Sequence, residues 1–251
     1  MKILITGASS GIGKDMAKVL NKKGNELILI AKNKEKLEKV KEELEKTNNA
    51  KIEIISKDIS KEENCIGIYE QNKDIDILIN NAGFGDCGNF TKTSLEKEIN
   101  MINTNIIAYH ILTKLYLKTM KEKNSGKILN VASIAGFMPG PLMATYYATK
   151  AYVVRLSEAI REELKKEKSK VQISILAPGP VNTNFNNVAN VKFHMREANS
   201  MQVAKYAIKK LEKGKFYIIP GLDIKIAKIA VKLFPTTLIS KVNYKIQERK
   251  V

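Results

Sequence analysis

The chain is short of the residues that build disulfide frameworks and metal cages. Two cysteines, Cys65 and Cys87, stand among 251 residues, too few for a disulfide network or a four-cysteine zinc site. A reducing, cytoplasmic setting is the resulting expectation. Histidine occurs twice, as His110 and His194, and tryptophan is absent. No apolar run approaches the ~20 residues of a membrane-spanning helix. Met1 leads straight into Lys2-Ile3-Leu4-Ile5-Thr6-Gly7, so a secretory leader is not expected. Acidic residues are also scarce, 26 against 43 basic ones, for a formal charge of +17. Such an excess can mark a nucleic-acid surface. Here arginine supplies only Arg155, Arg161, Arg196 and Arg249, and the lysines are scattered without interleaved aromatic residues. Bidentate forks and stacking platforms are therefore missing. The charge reads as a solvated lysine-rich surface, with no nucleic-acid partner expected.

What is present is a chain of ordinary apolar (44%) and charged (27%) content, long enough for one well-buried domain. Short runs of Ile, Leu and Val alternate with helical patterns, the mark of βαβ units around a parallel sheet. Strands are expected at Ile3–Ile5, Leu27–Ile30, Ile52–Ile55, Ile75–Ile79, Lys127–Val131 and Val171–Leu176, with a seventh at Phe216–Ile219. Helices are expected after the first strand to near Gly24, and over Lys34–Lys46, Ile99–Lys123 and Tyr146–Lys166. The strands are almost continuously apolar, so helices should cover both sheet faces. The fold class is α/β, a doubly wound parallel sheet with ligands at the strands' carboxyl ends. Residues 1–221 form the catalytic unit, and 222–251 a helical extension of the same domain.

Between the first strand and helix lies Thr6-Gly7-Ala8-Ser9-Ser10-Gly11-Ile12-Gly13. Glycines there permit a tight turn and close approach of a pyrophosphate, which the helix N-terminus favours through its N–H groups and dipole. The same residues also spell Gly-x-Ser-x-Gly, the nucleophile elbow of α/β-hydrolases. Against that reading, the turn follows the first strand, leaving no earlier loop for an oxyanion hole. His110 lies in an apolar helix, and His194 is the remaining candidate base.

Tyr146 and Lys150 are four residues apart on a predicted helix, so they share one face about 6 Å apart along the axis. A nearby ammonium favours the phenolate and draws the tyrosine towards a useful acid–base range. Ser133 follows the fifth strand, at the sheet edge where ligands bind, and its hydroxyl can hold a carbonyl oxygen as charge develops. Asn80-Asn81-Ala82-Gly83 follows the fourth strand at that edge.

Together these motifs, with Pro178-Gly179, resemble the short-chain dehydrogenase/reductase family over residues 2–220. The resemblance implies a Rossmann-like fold and hydride exchange between a nicotinamide cofactor and a carbonyl or alcohol. Tyr146 would be the proton donor or acceptor, Ser133 the group orienting the substrate oxygen, and Lys150 the ligand of the nicotinamide ribose. Asn105, favoured over Asn103, would hold a relay water. Gly7, Ser9, Ser10, Gly11, Ile12 and Gly13 would form the pyrophosphate turn. Asp58 and Ile59 would meet the adenine, and Asn81, Ala82 and Gly83 would lie near the adenosine ribose. Pro178, Gly179, Val181 and Thr183 would cradle the nicotinamide. No metal is required, because tyrosine moves the proton and the cofactor the hydride. A homodimer or homotetramer is also implied. The alternatives are a non-catalytic NADP-binding regulator and the hydrolase.

Where the family's NAD enzymes carry an acid after the second strand, this chain has Ala31, followed by Lys32. A basic side chain there accommodates a 2′-phosphate, so NADP is expected ahead of NAD. Substrate-pocket walls are expected from Phe84, Gly85, Phe90, Met138, Pro139, Leu142, Met143 and Asn184–Asn199. In the tail, Ile226, Ile229, Ala230 and Leu233 form a helical stripe, Phe234-Pro235 breaks it, and Leu238, Val242 and Ile246 begin another. That stripe is expected against the pocket or another subunit. Contact with an anionic membrane is the less favoured alternative.

Overall fold

The computed structural model describes residues 1–47, 50–189, 191 and 197–248. Its sheet is built from β1 (Lys2–Thr6), β2 (Glu26–Ala31), β3 (Ile52–Ser56), β4 (Ile77–Asn80), β5 (Lys127–Val131), β6 (Gln172–Leu176) and β9 (Tyr217–Ile218). These seven run parallel in the order β3-β2-β1-β4-β5-β6-β9. The two-residue strands β7 (Val181–Asn182) and β8 (Ala198–Asn199) pair separately. Strand order reverses between β1 and β4, which opens a crevice at their carboxyl ends. The turns carrying Gly7 and Asn81 lie there.

Alternation along the strands feeds two apolar layers. Ile3, Ile5, Leu27 and Leu29 pack with Met16 and Leu20 of α1 (Gly11–Asn21), Leu37 of α2 (Lys34–Glu45), and Val203 and Ile208 of α8 (Ser200–Glu212). On the other face, Leu4, Ile28, Leu78 and Ile128 pack with Cys65 of α3 (Glu62–Gln71), Tyr109 and Tyr116 of α5 (Ala108–Glu122), and Val153 of α6 (Ala144–Lys166).

The expected elements recur with shifted boundaries. The helix expected over Ile99–Lys123 begins earlier, as α4 (Leu95–Ile102), because Ser94 caps it by accepting from the Lys97 N–H at 3.3 Å. It then passes through a π-helical turn, Asn103–Ile107, into α5. Helix α3 has no regular apolar stripe, and only Cys65 and Ile68 of it are buried. Helix α8 does have one, in Val203, Ala204, Ala207, Ile208 and Leu211, and Asn199 caps it. A single turn, α7 (Phe185–Val188), precedes it. The tail forms α9 (Leu222–Leu233) and α10 (Thr236–Glu248), separated at Phe234-Pro235.

Candidate active site

Steric necessity accounts for the glycine turn. Gly7 and Gly11 adopt φ of +67° and +53°, a region costly for side-chain-bearing residues. A Cβ on Gly7 would lie 2.7 Å from the Ala82 Cα, and one on Gly13 2.4 Å from both the Gly7 carbonyl oxygen and the Asn81 Nδ2. The turn is thus pressed against the end of β4. The Thr6 hydroxyl oxygen accepts from the Asn81 and Ala82 N–H groups at 2.9 and 3.1 Å. Asn81 Nδ2 donates to the Thr6 and Gly7 carbonyls at 3.0 and 3.2 Å. Ser10, at the N-cap of α1, makes no side-chain cap bond, and the first turn carries no acid. The dipole and first N–H groups of the helix are therefore left open to an anion. Gly13→Ala is expected to lose about 1–3 kcal/mol of stability by overpacking. Urea unfolding checks it, and an unchanged midpoint would contradict this account of the turn.

A cavity of about 590 Å³ opens at this edge. Of the anticipated site residues, Gly7, Ser9, Ser10, Gly11, Ile12, Lys32, Ile59, Asn81, Ala82, Gly83, Ser133, Tyr146, Lys150, Pro178, Gly179, Val181 and Thr183 line it. Gly13, Asp58 and Asn105 stand behind that surface.

Lys150 is buried on α6, where its ammonium donates to the Val131 carbonyl at 3.0 Å and lies 5.9 Å from the Tyr146 ring centroid. Loss of hydration pulls its pKa down to about 8. The Tyr146 ring packs 5.3 Å from Phe185 and 6.1 Å from Tyr147. Burial pushes its phenol above the ordinary tyrosine range, and a hydrogen bond with Ser133 opposes that rise. Sequence reasoning expects Lys150 to be the offsetting group. In the structure the opposing group is Ser133, and burial dominates the phenol.

Ser133 caps the 3₁₀ turn Ile134–Phe137, accepting from the Ala135 N–H at 3.2 Å and donating to the Pro178 carbonyl at 3.4 Å. The β5 exit and the Pro178–Thr183 loop are thereby tied together. That loop also closes on the glycine turn, since a Cβ on Gly11 would lie 3.1 Å from the Thr183 methyl.

Asn105, inside the π-helical turn, is fully buried. Its Nδ2 donates to the Phe84 carbonyl at 2.9 Å and the Thr149 hydroxyl at 3.1 Å, and its Oδ1 accepts from the Phe84 N–H at 3.2 Å. The side chain clamps the loop after β4 to α6. Both its amide protons are committed to protein acceptors. A Cβ on Gly83 would sit 2.9 Å from the Asn105 Oδ1 and 3.3 Å from the Lys150 Nζ. Glycine there lets the β4 loop pass between the two groups.

At the opposite end, Lys32 pairs with Asp58 at 2.9 Å. Burial raises the Asp58 carboxyl, but hydrogen bonds from Lys32 and Ser60 outweigh it and hold the group below the usual carboxylate range. Asp58 is turned to those partners, and Ile59 rather than Asp58 faces the cavity. Lys36 and Lys57 line this end as well, which sequence patterning does not reveal. Parallel register supplies the signal: Ala31 pairs with Ser56, and the Lys57 N–H donates to the Ala31 carbonyl at 3.2 Å. Lys57 therefore leaves β3 beside Lys32.

The other end is walled by Phe84, Met138, Met143, Tyr147, Phe185 and Val188. Phe90 is not a wall. It is 63% exposed, on a loop turned outward by Asn89, whose Oδ1 accepts from the Thr91 N–H at 3.1 Å. Gly85, Pro139 and Leu142 also lie off the cavity surface. The backbone of Leu142 is engaged with Gly88 at 2.8 Å, and that of Pro139 with Asn243 at 2.7 Å. Gly85 sits behind Phe185 and Tyr146. Of the expected variable segment, residues 190 and 192–196 fall outside the described residues, and His194 with them.

The tail supplies Ile224 and Ala227 from α9, and Asn243 and Ile246 from α10. Helix α9 is pinned by the Lys228 ammonium, 3.1 Å from the Tyr217 ring centroid and 4.8 Å from that of Phe137. Gln247 of α10 donates to the Tyr147 hydroxyl. The extension covers the pocket, and of the expected stripes only Ile246 reaches it, while Ile226, Ile229 and Leu233 are exposed and face away. The α9 face against the pocket is instead Ile224, Ala227 and Lys228, offset round the helix.

Comparison with known proteins agrees with this geometry. The short chain dehydrogenase family profile matches residues 1–192. Rat 17-beta-hydroxysteroid dehydrogenase type 3 is 35% identical over 185 residues, covering 72% of this chain and 60% of that protein. The chain thus spans less than two thirds of that relative's length. A short-chain dehydrogenase from Sphingobium yanoikuyae, solved with NADPH, superposes with a TM-score of 0.85 at 26% identity over 92% of each chain. The bulky-bulky ketone specific alcohol dehydrogenase from Comamonas testosteroni superposes with a TM-score of 0.80 at 26% identity, over 88% of this chain and 86% of that one. With its doubly wound sheet, its glycine turn and its Ser133, Tyr146 and Lys150 around one cavity, the chain belongs to the short-chain dehydrogenase/reductase family.

Proposed function

We propose that the protein is an NADP(H)-dependent reductase of apolar ketones, or the corresponding alcohol dehydrogenase. The observation that carries the reading is one continuous cavity with three lysines at one end and the bonded pair Ser133–Tyr146 at the other. The glycine turn fits a pyrophosphate, because Gly7, Ser10 and Gly11 line the cavity at the α1 N-terminus, where neither a capping side chain nor an acid stands. Gly11, Ile12, Thr183 and the α1 N-terminus would hold the phosphates and nicotinamide. Lys32, Lys36 and Lys57 would surround a 2′-phosphate, and an acid at the end of β2 is lacking. Kinship with a dehydrogenase solved with NADPH supports this choice.

When bound, the cofactor supplies or accepts the hydride. Ser133 holds the substrate oxygen through its hydroxyl, and Tyr146 gives that oxygen a proton during reduction or removes one during oxidation. Lys150, held on the Val131 carbonyl beside Tyr146, would bond the nicotinamide ribose. Phe84, Met143, Phe185 and Ile246 exclude water from the reacting carbonyl, and suit a substrate with apolar groups on both sides of it.

Purified protein should consume NADPH with a panel of bulky aryl and alicyclic ketones. Binding of NADPH without turnover of any ketone or alcohol would favour a regulator. The hydrolase reading gains nothing from His110, whose Nδ1 is bonded to the Tyr152 hydroxyl at 2.8 Å.

Ser133→Ala is expected to lower kcat by about 10²–10³-fold, the usual cost of one donor at a charge-developing oxygen. It should also move the pH profile. The Ser133 bond lowers the Tyr146 pKa, so its loss raises that pKa further. Alcohol oxidation needs the phenolate, and its rising limb should shift to higher pH. Steady-state profiles of wild type and variant check this, and an unchanged limb would contradict the role given to Ser133.

A further inference from the structure

The exposed apolar side chains of this protein are gathered on its last two helices. Fifteen large hydrophobic residues stand exposed among the described residues, and nine of them lie between Leu222 and Ile246. On α9, Leu222 (72% exposed), Ile226 and Ile229 (59% each) and Leu233 (75%) are spaced four, three and four residues apart, so they share one helix face. Phe234 continues the stripe at the break, and Leu238 and Val242, four residues apart, carry it along α10 as far as Ile246, which turns into the cavity mouth.

These helices are firmly placed. Their other faces line the cavity, pin Lys228 over Tyr217, and bond Asn243 to the Pro139 carbonyl and Gln247 to the Tyr147 hydroxyl. The stripe is what remains after that docking, and a contiguous apolar surface of this kind marks an interaction site.

Its charge selects the occupant. From Leu222 to Glu248 the sequence carries five lysines against Asp223 and Glu248. Lys225, Lys232, Lys241 and Lys245 are exposed. Lys225 and Lys232 lie roughly 60–80° round α9 from the stripe, and Lys241 and Lys245 flank the α10 stripe on one side. Pairing this face with a second copy would bring two such lysine rows together, and like charges repel. A layer of anionic headgroups over hydrocarbon satisfies both halves, since lysine stems can follow the apolar surface while their ammonium groups reach phosphate. Among the described residues no helix is long and apolar enough to cross a membrane, so the contact is peripheral. We propose that the α9–α10 face docks the protein on an anionic lipid bilayer, a property independent of the reaction it catalyses.

Co-sedimentation of the full chain with vesicles of phosphatidylcholine alone, or mixed with phosphatidylglycerol, tests this. Binding is expected to the mixed vesicles, to weaken with added salt, and to be much weaker to phosphatidylcholine. Replacing Ile226, Ile229 and Leu233 together by serine should lower the partition coefficient by roughly tenfold or more. Lys232→Glu with Lys241→Glu, at exposed positions on the two helices, should lower binding to mixed vesicles by a similar factor while the melting midpoint stays in place. Absence of binding to mixed vesicles would overturn the proposal, as would equal binding to both vesicle types or indifference to the lysine reversals. A wild-type dimer in size-exclusion chromatography that the serine variant converts to monomer would overturn it in favour of a subunit contact.

Discussion

Tyr146→Phe is expected to lower kcat for NADPH-linked ketone reduction by about 10²–10⁴-fold, the range set by loss of a general acid. The substitution removes only the hydroxyl that is bonded to Ser133. The ring survives, and with it the packing against Phe185 and Tyr147. Lys150 keeps its bond to the Val131 carbonyl, since that contact does not pass through the phenol. NADPH affinity should therefore change by no more than about twofold, a difference under half a kcal/mol. Steady-state rates and a fluorescence titration of NADPH separate the two quantities. A variant within a few-fold of wild type in turnover would remove Tyr146 from the chemistry.

Ala31→Asp is expected to invert the cofactor preference. Ala31 ends β2 and lines the cavity between the glycine turn and the Lys32, Lys36 and Lys57 group. A carboxylate there would accept hydrogen bonds from ribose hydroxyls and repel a 2′-phosphate. We expect kcat/KM with NADPH to fall by about a hundredfold, equivalent to ~3 kcal/mol, while kcat/KM with NADH rises. The lysines temper the effect. Lys32 is half exposed and already paired with Asp58, so part of its attraction is spent on that carboxylate and screened by solvent. An undiminished preference for NADPH would mean that the end of β2 does not read the 2′ position.

Much of this was legible in the sequence because the fold imposes short-range patterns. Continuous Ile and Leu runs announced buried parallel strands, and the glycine spacing announced a turn that Gly7 and Gly13 fill to contact. The four-residue interval of Tyr146 and Lys150 put them on one helix face. What escaped depended on contacts distant in the chain. Lys57 joins Lys32 only through the register of β2 with β3, which no local pattern encodes. Asn243 and Ile246 reach the cavity because α10 folds back over Tyr147, some hundred residues away in sequence. That burial and Ser133 set the Tyr146 phenol is likewise a property of the packed site. The tail is amphipathic as its spacing predicts, but the α9 stripe faces outward and not towards the pocket. Polar Asn243 and Gln247 find buried partners on the protein side, which leaves the more apolar face outward.

The most direct test of hydride transfer to a carbonyl that Tyr146 protonates uses NADPH carrying deuterium in both C4 positions of its nicotinamide ring. With a ketone that the protein turns over, mass spectrometry of the product alcohol should find the label on the carbinol carbon. Tyr146→Phe should give about a hundredfold less labelled product or lower still, with NADPH binding preserved. Unlabelled product, or equal label from wild type and variant, would contradict the account.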